Sequence, residues 1–130
     1  MAVAPIVVIG LIAISLVGLA WWLLITTEGV YLGQRVVIWL YDLYATRYDG
    51  IKQFLPDYDD LLLAQPIMNE IVPKTDPLVL DVATGTGRLP AALCRLPYFA
   101  GHIIASDPSR KMLAQAVIKL AAERDRISFL

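Results

Sequence analysis

From Ala2 to Ile25 no residue is charged, and only Pro5, Ser15 and the glycines interrupt a run of apolar side chains. About 20 apolar residues suffice to cross a bilayer as a helix. Trp21 and Trp22 stand near the end of the run, where indoles favour the membrane–water boundary. The pattern then changes. Between Val30 and Tyr48 the apolar positions Val36, Val37, Leu40, Tyr41, Tyr44 and Tyr48 recur at helical spacing, with Arg35, Asp42 and Asp49 off that stripe. This predicts a packed amphipathic helix; the continuously apolar stretch Val36 to Tyr41, far too short to span a membrane, is alternatively a surface-lying segment or a cover over the ligand-binding portion. Gly50 and Pro56 mark breaks, and a further helix is expected from about Asp59 to Ile71, capped by Asp57 or Asp59 and kinked or split at Pro66.

After Asp76-Pro77 the period shortens again. Leu78 to Val82 is a brief run of branched residues, read as a parallel strand covered on both faces. Leu89, Leu93 and Leu96 form one face of a short helix, in which Pro90 is tolerated because it lies in the first turn and Pro97 ends the element. His102 to Ala105 is a second strand. Ser109 caps a helix whose buried face is Met112, Leu113, Ala116, Val117, Leu120 and Ala121, and Arg126 to Leu130 opens a third strand. The expected order is an α/β arrangement, βαβαβ, behind an apolar helix. It divides the chain into an anchor at 1–27, a helical joining or lid region at 28–76 and a ligand-binding portion at 77–130.

Composition sharpens this reading in three places. Hydrophobic residues make up 58% of the 130 positions, and most of the excess lies in the first forty or so, as an anchor requires. A cleaved signal peptide fits less well, because no basic n-region precedes the run, the run is too long and no clear small-x-small site precedes Glu28. No Lys or Arg precedes the span, whereas Arg35 follows it closely and Arg47 and Lys52 come later, so the positive-inside bias puts the carboxyl-terminal side in the cytoplasm. The net charge of −1 gives no reason to expect nucleic acid as a partner. Cys94, the single cysteine, excludes a disulfide framework and a cysteine-cluster metal site, and reads as a small packing residue. His102, the only histidine, reads as structural.

The chemistry lies in Leu78-Val79-Leu80-Asp81-Val82-Ala83-Thr84-Gly85-Thr86-Gly87-Arg88. Gly85 and Gly87 allow a sharp turn and close approach of a ligand to the backbone, and the helix behind them offers unpaired N–H groups. A dinucleotide fingerprint would carry a third glycine where Pro90 stands. Asp107 ends the second strand about 20 residues beyond the turn, where ribose-binding acids sit in such folds. A carboxylate there can accept from both vicinal hydroxyls.

Asp81-x-Ala83-x-Gly85-x-Gly87 resembles motif I of the class I S-adenosylmethionine-dependent methyltransferases, with alanine for the first glycine. Leu-Asp-Val-Ala-Thr-Gly-Thr-Gly looks like the ubiquinone/menaquinone-biosynthesis C-methyltransferase branch. Ala105 to Leu113 is similar to the segment after motif I, and Tyr48-Asp49 resembles a pair in the leading segment that folds over the cofactor in this family. The resemblance implies the first half of a Rossmann-like, doubly wound sheet with S-adenosylmethionine as cofactor. Asp81 would hold the methionine amino group, Ala83, Thr84, Gly85, Thr86 and Gly87 would form the cradle, and Asp107 and Pro108 would lie at the ribose. No catalytic base is assigned. The anchor and the family branch together suggest a membrane-associated acceptor, such as a quinone precursor or a lipid.

A complete sheet of this family has further strands, with one beside the first. The expectation is therefore an incomplete product whose first strand presents an apolar edge, completed by a second chain or by a continuation. The rivals are a fragment of a nicotinamide-dependent oxidoreductase and a non-catalytic, membrane-tethered interaction module.

Overall fold

A computed structural model describes residues 3–71 and 75–130; Ala2, at the head of the apolar run, and 72–74, inside the expected joining region, lie outside them. The chain forms two compact units, Met1–Leu40 and Tyr41–Leu130. In the first, α1 (Val3–Trp21) continues through a π-helical turn, Trp22–Thr26. Ala4–Thr26 is long and apolar enough to cross a membrane, and none of it is buried in protein. The Thr27 hydroxyl donates to the Leu23 carbonyl at 2.8 Å as the helix ends. A 3-10 turn at Val30–Leu32 follows, Trp22 stacking on Tyr31 with 5.7 Å between ring centroids. Gly33, at φ 94°, then breaks the chain before α2 (Gln34–Tyr44).

The expected helix from Val30 to Tyr48 is thus several short pieces. A 3-10 turn (Ala45–Arg47) leads into α3 (Tyr48–Lys52). Gly50 lies inside α3, and the break falls instead at Gln53, which takes the left-handed conformation at φ 49°. α4 (Pro56–Asp59) starts with proline at its first position, a π-helical turn covers Asp60–Ala64, and α5 (Gln65–Ile71) completes the segment. Neither Asp57 nor Asp59 is the cap. Leu55 holds that position, because Pro56 already fits the first turn with no N–H to satisfy. The π turn ends two residues before Pro66, whose missing N–H cannot join a regular ladder.

β1 (Leu78–Val82), α6 (Arg88–Arg95), β2 (His102–Ser106), α7 (Arg110–Lys119) and β3 (Ile127–Phe129) alternate as expected. The strands form a parallel sheet in the order β1-β2-β3, with Leu80 opposite Ile104 and Ala105 opposite Phe129. Ser109 caps α7 by accepting from the Met112 N–H at 3.1 Å. Ile103, Ala105 and Ile127 on one face of the sheet join Leu93, Leu96, Phe99, Leu120, Ala64 and Met68 in a single core. Cys94 packs at its margin, half-buried, and His102 pairs with the Ser128 hydroxyl at 2.9 Å.

A further expectation fails, on the sheet. β1 is not covered on both faces: Leu78, Leu80 and Val82 are exposed, Leu80 by 63%. The reason is the handedness of the connections. Parallel crossovers are right-handed, and the strands advance across the sheet in one direction, so α6 and α7 fall on the same face. Coverage of the other face requires the strand order to reverse, which it does not do among the described residues.

Candidate functional site

Asp81 is the last residue of β1 to point toward the helical layer, alternating with the exposed Leu80 and Val82. Its carboxyl is half-buried. Burial pushes its pKa up from the ordinary carboxylate value; the nearby Thr84 hydroxyl offsets part of that, and the charge of Asp107 adds to it. Among the described residues Asp81 Oδ2 and Thr84 Oγ1 are buried with no regular hydrogen bond, although the two groups lie close enough for the hydroxyl to hold the carboxyl's pKa down; under-satisfied buried groups of this kind are costly.

The turn beyond β1 is built from left-handed residues. Gly85 and Gly87 have φ of 58° and 78°, and Ala83 joins them at φ 64°. Alanine there takes a conformation that glycine adopts at no steric cost. The two glycines do different work. A Cβ on Gly85 would meet open space, whereas one on Gly87 would lie 2.8 Å from Leu120 Cδ1 and 3.1 Å from Ala116 Cβ. Gly87 therefore seats the turn on α7, while Gly85 faces outward and leaves its backbone approachable. Ala83 is exposed, and Thr84 and Thr86 are buried.

Asp107 follows β2 and staples the turn to the start of α7. Its Oδ2 accepts from the Gly85 N–H at 2.7 Å and its Oδ1 from the Ser109 N–H at 2.8 Å. Each oxygen keeps acceptor capacity. Asp81, Thr84, Gly85 and Asp107 are thus brought together at the carboxyl ends of adjacent parallel strands, and Pro108 lies beside them, exposed. Pro90, where a dinucleotide fingerprint has glycine, is fully buried.

The helices before the sheet tie down this end of the molecule through acids. Asp49 accepts from the Thr86 hydroxyl and pairs with Lys119, which also donates to Thr86 at 3.2 Å. Asp42 accepts from the Ser109 hydroxyl at 2.6 Å and from the Lys111 N–H at 3.2 Å. The Ser109 contact is the main reason its pKa falls below the ordinary value. Buried Asp59 receives Arg88 through both Nε (2.8 Å) and Nη2, and Arg88 also lies 4.2 Å over the Phe54 ring. Asp60 holds Arg95.

Lys119 carries no mark in the sequence pattern, where Asp42 reads only as an off-stripe acid, Asp59 as a candidate helix cap and Arg88 as the end of the glycine stretch. The available signal was that Asp42 and Asp49 stand seven residues apart, off the apolar stripe. Among the described residues no cluster of histidine, cysteine, aspartate or glutamate could hold a metal ion. A shallow hollow lined by Met68, Ile71, Pro77, Tyr98 and Phe99 lies at the opposite end of β1 from the turn. No protein-family model matches the chain, and no curated protein matches it.

Proposed function

We propose that the chain is the cofactor-binding portion of a membrane-anchored, S-adenosylmethionine-dependent methyltransferase with a Rossmann-like sheet. The observation that carries this is the carboxylate oxygen of Asp81, buried beside the left-handed turn with no regular hydrogen bond among the described residues and close enough to Asp107 to feel its charge. An ammonium group satisfies such an acceptor, and the spare lone pairs of Asp107 suit a pair of ribose hydroxyls. The donor set therefore fits the cofactor: Asp81 and Thr84 toward the amino-acid end, the open backbone at Gly85 beneath it, and Asp107 with Pro108 at the ribose. When bound, the cofactor supplies an electrophilic methyl group on a sulfonium.

Electrostatics favours this reading over the nicotinamide one. Asp81 and Asp107 lie close enough for the charge of one to raise the pKa of the other, and that balance attracts an ammonium and a sulfonium while repelling a pyrophosphate. Buried Pro90 replaces the glycine a dinucleotide site would use. The role of the chain's own residues is to bind and orient, which is most of what methyl transfer asks of an enzyme. The apolar helix at Ala4–Thr26 favours an acceptor in or near the membrane, a quinone precursor or a lipid, with the sheet unit on the cytoplasmic side.

The test is an NMR titration of the full chain in lipid nanodiscs. S-adenosylmethionine should shift the Gly85 and Ser109 amide resonances, and NADH at the same concentration should not. Asp81→Asn and Asp107→Asn should each weaken binding about tenfold or more, the scale of one hydrogen bond to a charged group. Shifts with NADH alone, or with neither ligand, would overturn the assignment.

A further inference from the structure

The segment that ties down the turn carries large apolar side chains outward as well as inward. Along α4, the π turn and α5, the inward positions are Asp59, Ala64 and Met68, and the outward ones Tyr58, Leu61 and Leu62, at helical spacing. Asp59 is 4% exposed, whereas Leu61 and Leu62 are 63% and 62% exposed. Leu43, Ile51 and Leu55, on the preceding elements, are exposed as well. A scattered exposed leucine needs no explanation, but Tyr58, Leu61 and Leu62 together, on the side opposite the one packed in the core, mark an interaction surface.

We propose that the outward side of this segment, carrying Tyr58, Leu61 and Leu62, docks on the surface of a lipid bilayer, so that one segment grips the start of α6 through Asp59 on its inner side and the membrane on its outer side. The inference rests on the reading of Ala4–Thr26 as an anchor. Its occupant is argued from three observations. The segment follows the apolar helix in the chain after a short connection, so a bilayer holding that helix is always at hand. Asp42, Asp49, Asp59 and Asp60 are engaged by Ser109, Lys119, Arg88 and Arg95, which leaves exposed Asp57 to face anionic headgroups with little company. Tyr58, at helical spacing from Leu61 and Leu62, has the apolar body and polar tip that suit headgroup depth.

The experiment uses the full chain in vesicles of phosphatidylcholine and phosphatidylglycerol, in a Cys94→Ala background. A spin label is attached in turn at Leu11→Cys, Leu61→Cys and Asp125→Cys. Collisions with oxygen, which concentrates in lipid, are compared with those of a water-soluble nickel chelate. The expected result is oxygen-dominated relaxation at Leu11 and Leu61 and nickel-dominated relaxation at Asp125. In addition, Leu62→Glu should move the Leu61 label toward water while leaving amide protection of β2 unchanged. Lipid at Leu11 with water at Leu61 would overturn the docking and leave the anchor standing. Water at Leu11 would overturn both. A Leu61 label shielded from both reagents and coupled to a second spin would overturn it in favour of a second copy of the chain.

Discussion

Ala83, Gly85 and Gly87 share a backbone conformation and differ in what surrounds them, so substitution separates strain from packing. Ala83→Gly should stabilise the sheet unit by about 1 kcal/mol, the left-handed strain removed less the entropy that glycine adds to the unfolded chain. Gly85→Ala should cost about 1 kcal/mol, for strain alone. Gly87→Ala should cost about 2–4 kcal/mol, because its Cβ also strikes Leu120 and Ala116. Urea denaturation of the three variants checks the order. Asp81 gives a pH signature with the opposite sign from most acids. Its folded pKa is raised, so the folded state holds a proton that the unfolded state has lost, and stability should fall as pH rises from the ordinary carboxylate value through the folded one. Asp81→Asn should abolish that fall. Asp42, whose pKa is lowered, contributes stability above the ordinary value and loses it as pH drops through its folded value, so Asp42→Asn should flatten the acid limb instead.

At the scale of elements, the contact of α4 and the π turn with α6 turns on Asp59. Its carboxylate is buried and satisfied by Arg88, whose side chain is 39% exposed. Solvent at the arginine reduces what the pair contributes, yet truncating one partner of a buried pair leaves the other uncompensated. Asp59→Ala should therefore cost about 1–3 kcal/mol. Hydrogen exchange should place the loss of protection in residues 56–71 before the strands. The same elements show how far local pattern reaches. Pro90, Pro97 and the Ser109 cap bound their helices where spacing predicted, because each acts on its own neighbours. The break at Gln53 and the Leu55 cap were not legible, since neither residue is a usual turn or cap former.

Across the whole sheet unit, β1 carries the consequences of topology. Among the described residues it pairs with β2 alone, and its alternate residues are exposed. The His102 N–H donates to the Pro77 carbonyl, so in parallel register the N–H groups of Val79 and Asp81 face β2 while those of Leu78, Leu80 and Val82 face the open edge. Exchange at these last three should be fastest in the sheet, and at Ile103 and Ala105 in central β2 slowest. Uniform protection across β1 would mean that its edge is covered in solution.

The apolar helix, the alternation of strand and helix from Leu78 onward, and the position of Asp81, the glycine turn and Asp107 at strand ends all follow from the order of residues. Each is written in periodicity or in the conformational freedom of a residue and needs no distant partner. Packing set the rest: that both crossover helices share one face, that Gly87 packs while Gly85 stays open, and that Asp42, Asp49 and Asp59 find partners on the sheet unit while Leu61 and Leu62 turn out. Those outcomes depend on the handedness of crossovers and on contacts between residues far apart in the chain, such as Asp49 with Lys119 and Asp42 with Ser109, which no local pattern encodes.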